Sequence, residues 1–213
     1  MKQNLLPVLA SFLFLAMLQS CVTPFSELQS ARLVGKNNVE ITPAYTTTSS
    51  TSDGETEGVQ NHVGLHAAFG LSSNVDLRCR YEYIWLKEDD FGNGVNVIGL
   101  GPKVSLLENK IALSLPIGAA FGKDVEDQWE FQPSILFTWP AIEDKLDITF
   151  APKYIATFCE DCTDFAAFNL GLAISSDLSS WAIRPEYGLL YDFGESGHAA
   201  QFSIGLSKTF GKK

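Results

Sequence analysis

From residue 39 to residue 210 the chain alternates apolar and polar positions in segments of roughly ten residues. A two-residue period is the mark of a β-strand with unlike faces. The pattern predicts strands over 39–46, 60–70, 75–86, 95–106, 110–121, 129–139, 146–157, 165–175, 181–191 and 199–210. In the third, Val75, Leu77, Cys79, Tyr81, Tyr83 and Trp85 share a face against Asp76, Arg78, Arg80 and Glu82. In the sixth, Trp129, Phe131, Ile135, Phe137 and Trp139 oppose Glu130, Gln132, Ser134 and Thr138. In the ninth, Trp181, Ile183, Tyr187, Leu189 and Tyr191 oppose Ala182, Arg184, Glu186 and Gly188.

The breaks between strands fall into two kinds. Segments 72–74, 107–109, 140–145 and 176–180 are short; 47–59, 87–94, 122–128, 158–164 and 192–198 are longer on average and mostly more acidic. Alternating short turns and longer loops predict a closed, antiparallel, up-and-down all-β barrel across a membrane, turns on the periplasmic side and loops outside.

Soluble barrels alternate too, with the apolar face inward. Here the polar face carries many small residues, among them Gly64, Ala68, Gly99, Ala112, Ser114, Gly118, Gly171, Gly205 and Ser207. Small residues interleaved with a few charges suit a crowded polar interior, and the large residues of the other face suit lipid. Trp129 and Trp139 stand ten residues apart on one face. At ~3.3 Å per residue and a tilt of ~40°, that separation covers roughly 25 Å, the height of the apolar band of such barrels. With Trp85 and Trp181 they form two aromatic girdles, Trp85 and Trp129 at the loop rim and Trp139 and Trp181 at the turn rim. A lipid-anchored soluble periplasmic barrel binding an apolar ligand is the rival fold, and the two differ in which face looks inward.

Pro43, Pro102, Pro133, Pro152 and Pro185 fall in mid-strand, all on the outward face. Proline normally avoids paired strands, and β-bulges at these points are one account of them.

Residues 1–20 read as an export signal: Lys2, an apolar run from Leu5 to Leu18, then small and polar residues. Leu18-Gln19-Ser20-Cys21 resembles the lipobox of bacterial lipoproteins, which implies lipidation of Cys21. Residues 21–38 form a tether before a barrel of 39–211. Ser26 is placed to cap a short helix through Leu33, stopped by Gly35, and the segment either tethers the barrel or tucks into its mouth. Near the end, Ser203-x-Gly205-x-x-Lys208-x-Phe210 resembles the signal read by the barrel-assembly machinery, which makes that machinery a partner during biogenesis. As a whole the chain resembles the small outer-membrane β-barrel proteins of Gram-negative bacteria. The resemblance implies the cell outer membrane, contact with its lipid and a monomeric barrel.

Charge narrows the functional classes. A formal net charge of −10 argues against nucleic acid as a partner. Asp76, Arg78, Arg80, Glu82, Lys103, Glu130, Lys153, Arg184 and Glu186 all project into the lumen by parity. Buried charges must pair, so they predict an ion-pair network. It either plugs a structural barrel or lines a narrow path for small solutes. Cys159 and Cys162 lie in a predicted outer loop, where an oxidising compartment favours a disulfide between them. Two thiols are too few ligands for a metal, no Cys or His cluster joins them, and no motif points to a cofactor. His62 and His66 share a strand face roughly 13 Å apart, too far for one ion. Ten strands is also the count of the outer-membrane protease (omptin) family, and His62 and His198 near the rim, with Asp89, Asp90 and Asp192, are the residues a rim protease would use. The short loops favour a non-catalytic role.

Overall fold

The computed structural model describes residues 23–88, 91–122, 125–158, 162–193 and 197–211, with residues 126 and 127 as backbone only. The export signal, Cys21, Asp89, Asp90 and Cys159 lie outside the described residues. The strands are β1 (Val39–Ser52), β2 (Glu55–Gly70), β3 (Val75–Leu86), β4 (Val95–Leu107), β5 (Ile111–Ser114), β6 (Ile117–Gly122), β7 (Val125–Phe131), β8 (Ser134–Ile142), β9 (Leu146–Phe158), β10 (Phe165–Ile174), β11 (Trp181–Asp192) and β12 (His198–Phe210). Each pairs antiparallel with its neighbours, and β1 pairs with both β2 and β12, so the sheet closes.

Twelve strands make ten staves. β5 and β6 share one register against β4: Lys103 faces Ser114, and Leu100 faces Ile117. β7 and β8 likewise share one register against β9, with Phe131 facing Ala156 and Ser134 facing Lys153. The interruptions fall at Pro116 and Pro133, which have no N–H to donate. Their carbonyls still serve the ladder, accepting from the N–H of Gln132 (2.9 Å) and Tyr154 (3.0 Å).

The other mid-strand prolines behave the same way, so the bulge account is corrected. Around Pro43, β1 and β12 pair at Ile41–Lys208 and resume at Ala44–Gly205 in unchanged register. Around Pro152 the pairs Ser134–Lys153 and Phe137–Phe150 keep step, and around Pro185 so do Gly171–Glu186 and Ile174–Ile183. Each proline omits a rung without inserting a residue. The register shifts lie elsewhere, near Ser49, Leu107, Gly122 and Ile142, toward the strand ends.

Followed once around the barrel, the register that starts at Glu40 climbs to the Thr51–Ser52 end of the same strand. That shear of about 12 residues on ten staves sets a tilt near 40° and a backbone diameter near 20 Å.

Two expected elements differ. The 47–59 loop is mostly strand: β1 and β2 continue to a two-residue turn at Asp53 (φ 53°) and Gly54 (φ 83°). Both residues are left-handed, as a type I′ hairpin requires, and Asp-Gly is its usual sequence. The expected helix after Ser26 is absent. Residues 23–30 run as irregular chain and are buried throughout. A helix with its side chains is ~10–12 Å across, too wide for a lumen already lined by inward side chains. Leu28, at φ 48°, is incompatible with a right-handed helix as well.

The faces are inverted relative to a soluble protein. Leu65, Leu100, Phe150, Leu170, Tyr187 and Leu206 are all more than 40% exposed on the outer wall. Gln60, His62, Asp76, Glu82, Asn169 and Ser203 are buried inside. A soluble monomer rarely shows an apolar patch beyond a few hundred Å². A continuous apolar belt around a closed strand wall is a lipid-facing surface, which excludes the soluble lipid-anchored alternative. The protein is a transmembrane β-barrel, the architecture of the cell outer membrane. Among the described residues no helix is long and apolar enough to cross a membrane; the strands do so.

Candidate functional site: the filled lumen

The lumen is occupied by the protein's own amino-terminal segment. Phe25, Leu28 and Ala31 are at most 1% exposed, and Thr23 to Ser30 are buried without a break. A buried irregular chain carries N–H and C=O groups that no ladder satisfies. Inward barrel side chains satisfy several of them.

Toward the loop end, the Thr23 hydroxyl donates to Glu130 (2.6 Å), and Gln132 Nε2 donates to the same carboxylate and to the Pro24 carbonyl. Arg80 donates to the carbonyls of Pro24 (2.6 Å) and Ser26 (3.2 Å). Lys153 donates to the Phe25 carbonyl (3.1 Å) and pairs with Glu27 (3.0 Å), while Asn169 donates to the same carbonyl (2.8 Å). At mid-height Glu186 accepts from the backbone N–H groups of Glu27 and Leu28, both at 2.8 Å. Toward the turn end, Thr138 Oγ1 accepts from the Ala31 N–H (2.8 Å), and Lys103 donates to the carbonyls of Ser30 and Arg32. Asp76 accepts from the Val34 N–H (3.0 Å), and Arg32 pairs with Asp147 (2.6 Å) and Asp144 (3.0 Å).

Every charge assigned to the lumen by parity faces inward. Asp76, Arg78, Glu82, Lys103, Lys153, Arg184 and Glu186 are buried; Arg80 and Glu130 are half-buried. Their partners differ from a simple cross-lumen network. Several are addressed to plug backbone, and Glu40, which parity reasoning left out, sits between Arg78 (3.3 Å) and Arg184 (3.1 Å). Hydrogen bonds to charged groups contribute about 1.5–3 kcal/mol net each, so a set of them is sufficient to order a chain with no secondary structure of its own.

His62 and His66 also converge on a barrel carboxylate. Glu82 lies 2.9 Å from His62 Nδ1 and 3.4 Å from His66 Nε2, and Arg80 closes on it at 3.4 Å. This corrects the rim-protease placement of His62: it is buried in the lumen and engaged with Glu82. His198 stacks on Tyr191 with ring centroids 5.7 Å apart, and Asp192 accepts from the Thr163 hydroxyl (3.1 Å). Among the described residues no group of three His, Cys, Asp or Glu side chains is placed to hold a metal ion.

The girdle residues lie outside the wall. Trp129 is 48% and Trp139 70% exposed, while Trp85 and Trp181 are half-buried. Trp85 packs edge-on against Phe91, 4.8 Å between centroids. Cys162 is disulfide-bonded; Cys79 is a free thiol on the outer wall.

Little space remains inside. A gap of about 50 Å³ beside the plug, near Glu27, His66 and Arg80, has room for one or two waters. A larger vestibule of about 340 Å³ opens at the turn end between Arg32, Glu40, Asp147 and Arg184.

Of the two placements the sequence leaves open for this segment, tether or insertion into the mouth, it takes the second, and nothing in residues 23–31 has a period that would have decided between them. A signal was present on the barrel side, in the small residues of the inner face. A Cβ at Gly188 would stand 2.9 Å from the Phe25 ring. That glycine leaves room for the plug's largest apolar side chain.

No protein-family model matches the chain, and no curated protein does. Several solved structures are similar at low identity. The translocator domain of the autotransporter NalP from Neisseria meningitidis is 7% identical with a TM-score of 0.47, over 83% of this chain and 90% of that one. Ail, the attachment invasion locus protein of Yersinia pestis, is 9% identical with a TM-score of 0.41, over 82% and 99%. The N-terminal β-barrel domain of Pseudomonas aeruginosa OprF is 12% identical with a TM-score of 0.34, over 81% and 98%.

Proposed function

We propose that this chain is a self-sealed outer-membrane barrel: a non-catalytic envelope protein that presents its loops at the cell surface and does not conduct. The observation that carries this reading is the occupied lumen. Residues 23–31 are buried inside the wall, and the Lys103, Lys153, Arg80 and Glu186 side chains bind their backbone. A path for solutes would have to pass the residual gap beside Glu27, which is water-sized.

Planar-bilayer recording tests this. The full-length barrel is expected to stay silent, and a variant lacking residues 24–33 to pass steady current through the vacated lumen. Steady current from the full-length protein would overturn the sealed reading in favour of small-solute passage. Folding of the shortened barrel is checked by heat-modifiable migration on a gel, so that silence from a misfolded variant is not mistaken for a seal. Cys21 is assigned as the lipidated residue on its lipobox-like sequence, and incorporation of an alkynyl fatty acid that is lost in Cys21→Ser is the corresponding measurement.

A further inference from the structure

The plug has a direction. In chain order its contacts move steadily down the barrel. Phe25 packs in a cluster with Ile155, Ala167, Leu190 and Ala199, all near the ends of strands that lead into or out of the loops. Leu28 meets Glu186 in the middle of β11. Arg32 reaches Asp144, in the turn between β8 and β9, and the Asn37 N–H donates to Gly70, the last residue of β2. β1 then begins at Val39 and climbs back toward the loops. The segment therefore enters the lumen at the loop end and leaves it at the turn end.

We propose that the chain ahead of Thr23 leaves the barrel through the loop-side mouth, so that the mature amino terminus is displayed on the face of the membrane that carries the loops. The reasoning rests on reading the barrel as membrane-spanning. The opposite exit is filled: below Thr23 the lumen holds residues 24–34 and the side chains bound to them. Toward the loops the distance is short. Two residues of extended chain reach about 7 Å at most. Phe25, 0% exposed within its apolar cluster, holds the thread at this level. An acyl group on Cys21 is then delivered to the leaflet on the loop side. It cannot lie in the leaflet at the turn side while the plug is seated, because the chain from Thr23 to Val34 spans the lumen between them. The lipid surface this terminus addresses is the outer one.

The test places a protease recognition site between residues 22 and 23 of the full-length protein in cells. Comparison sites go in the 87–94 loop and in the 107–110 turn, and protease is added to intact and to permeabilised cells. The site at 22/23 is expected to be cut under the same condition as the loop site, in intact cells, with the turn site cut only after permeabilisation. Cutting at 22/23 only together with the turn site would overturn the inference, as would protection of 22/23 until the barrel is unfolded. If the loop site itself resists protease in intact cells, the assigned membrane orientation falls. The inference is then still decided by whether 22/23 follows the loop site or the turn site.

Discussion

Glu186, on β11, closes with both carboxylate oxygens on the backbone of the plug: Oε2 accepts from the Leu28 N–H and Oε1 from the Glu27 N–H, each at 2.8 Å. Leu28 has the left-handed φ of 48°, which turns two successive N–H groups toward one anion. This bracket lies halfway along the thread, so it decides whether the plug is one held unit or two loose ends. In Glu186→Ala the two N–H groups lose a charged acceptor, at about 1.5–3 kcal/mol each. Hydrogen exchange at the Glu27 and Leu28 amides is expected to accelerate at least tenfold, with brief current bursts in bilayers. Unchanged exchange at both amides would refute the bracket.

Lys103 organises the turn-side half. Its ammonium donates to Ser30 O (3.2 Å) and Arg32 O (2.6 Å) and faces Asp76 at 3.6 Å, with 1% of the side chain exposed. Lys103→Met leaves Asp76 without its cation, and breaking a buried pair on one side costs about 3–5 kcal/mol. The temperature at which the barrel loses its compact gel mobility should fall. Asp76→Asn combined with Lys103→Met removes the orphaned charge and should recover part of that loss. A double variant as unstable as the sum of the single ones would exclude coupling between the two groups.

Gly70 ends β2 where the chain leaves the lumen. A Cβ there would stand 1.7 Å from the Gly35 carbonyl oxygen, which is backbone and cannot rotate away. Gly70→Ala should therefore displace the 35–38 turn and lower the unfolding temperature markedly. Gly99→Ala, whose nearest neighbours are 3.8 Å distant, should be close to neutral. Equal effects in the two variants would refute the close approach.

The tryptophans report the position of the wall in lipid. Trp129 and Trp139, ten positions apart on one face, are separated by roughly 25 Å along the membrane normal. In single-tryptophan variants, lipids brominated near the head group should quench both more than lipids brominated near the chain ends. Stronger quenching from the chain ends would remove the girdles.

Strand positions and facing were legible because they depend on local sequence: a side chain's face is set by parity, and most large apolar residues sorted to the outer one, with Ile84, Leu136, Ile155 and Leu190 buried on the inner face. The prolines were harder. Parity placed Pro43, Pro152 and Pro185 outward, but only the ladder shows that register continues through them. The partner strand supplies that information. The Asp53-Gly54 hairpin was readable from its dipeptide and was obscured by the Ser/Thr-rich residues around it, which lengthen the strands without any apolar alternation.

Sequence alone therefore determined the wall: strands, their inside and outside, the membrane, and the charges that point inward. These follow from a period of two and from the large difference in free energy between apolar side chains in lipid and in water. Tertiary structure decided what the inward charges bind. An irregular segment has no period, and its stability comes from contacts with residues far along the chain, such as Glu186 with Leu28, Lys153 with Phe25 and Lys103 with Ser30. Those contacts exist only after the sheet closes, because only closure brings Lys103, Lys153, Arg80 and Glu186 around one axis. In one dimension residues 23–34 read equally as a tether or as a segment tucked into the mouth, and closure of the sheet makes them a plug.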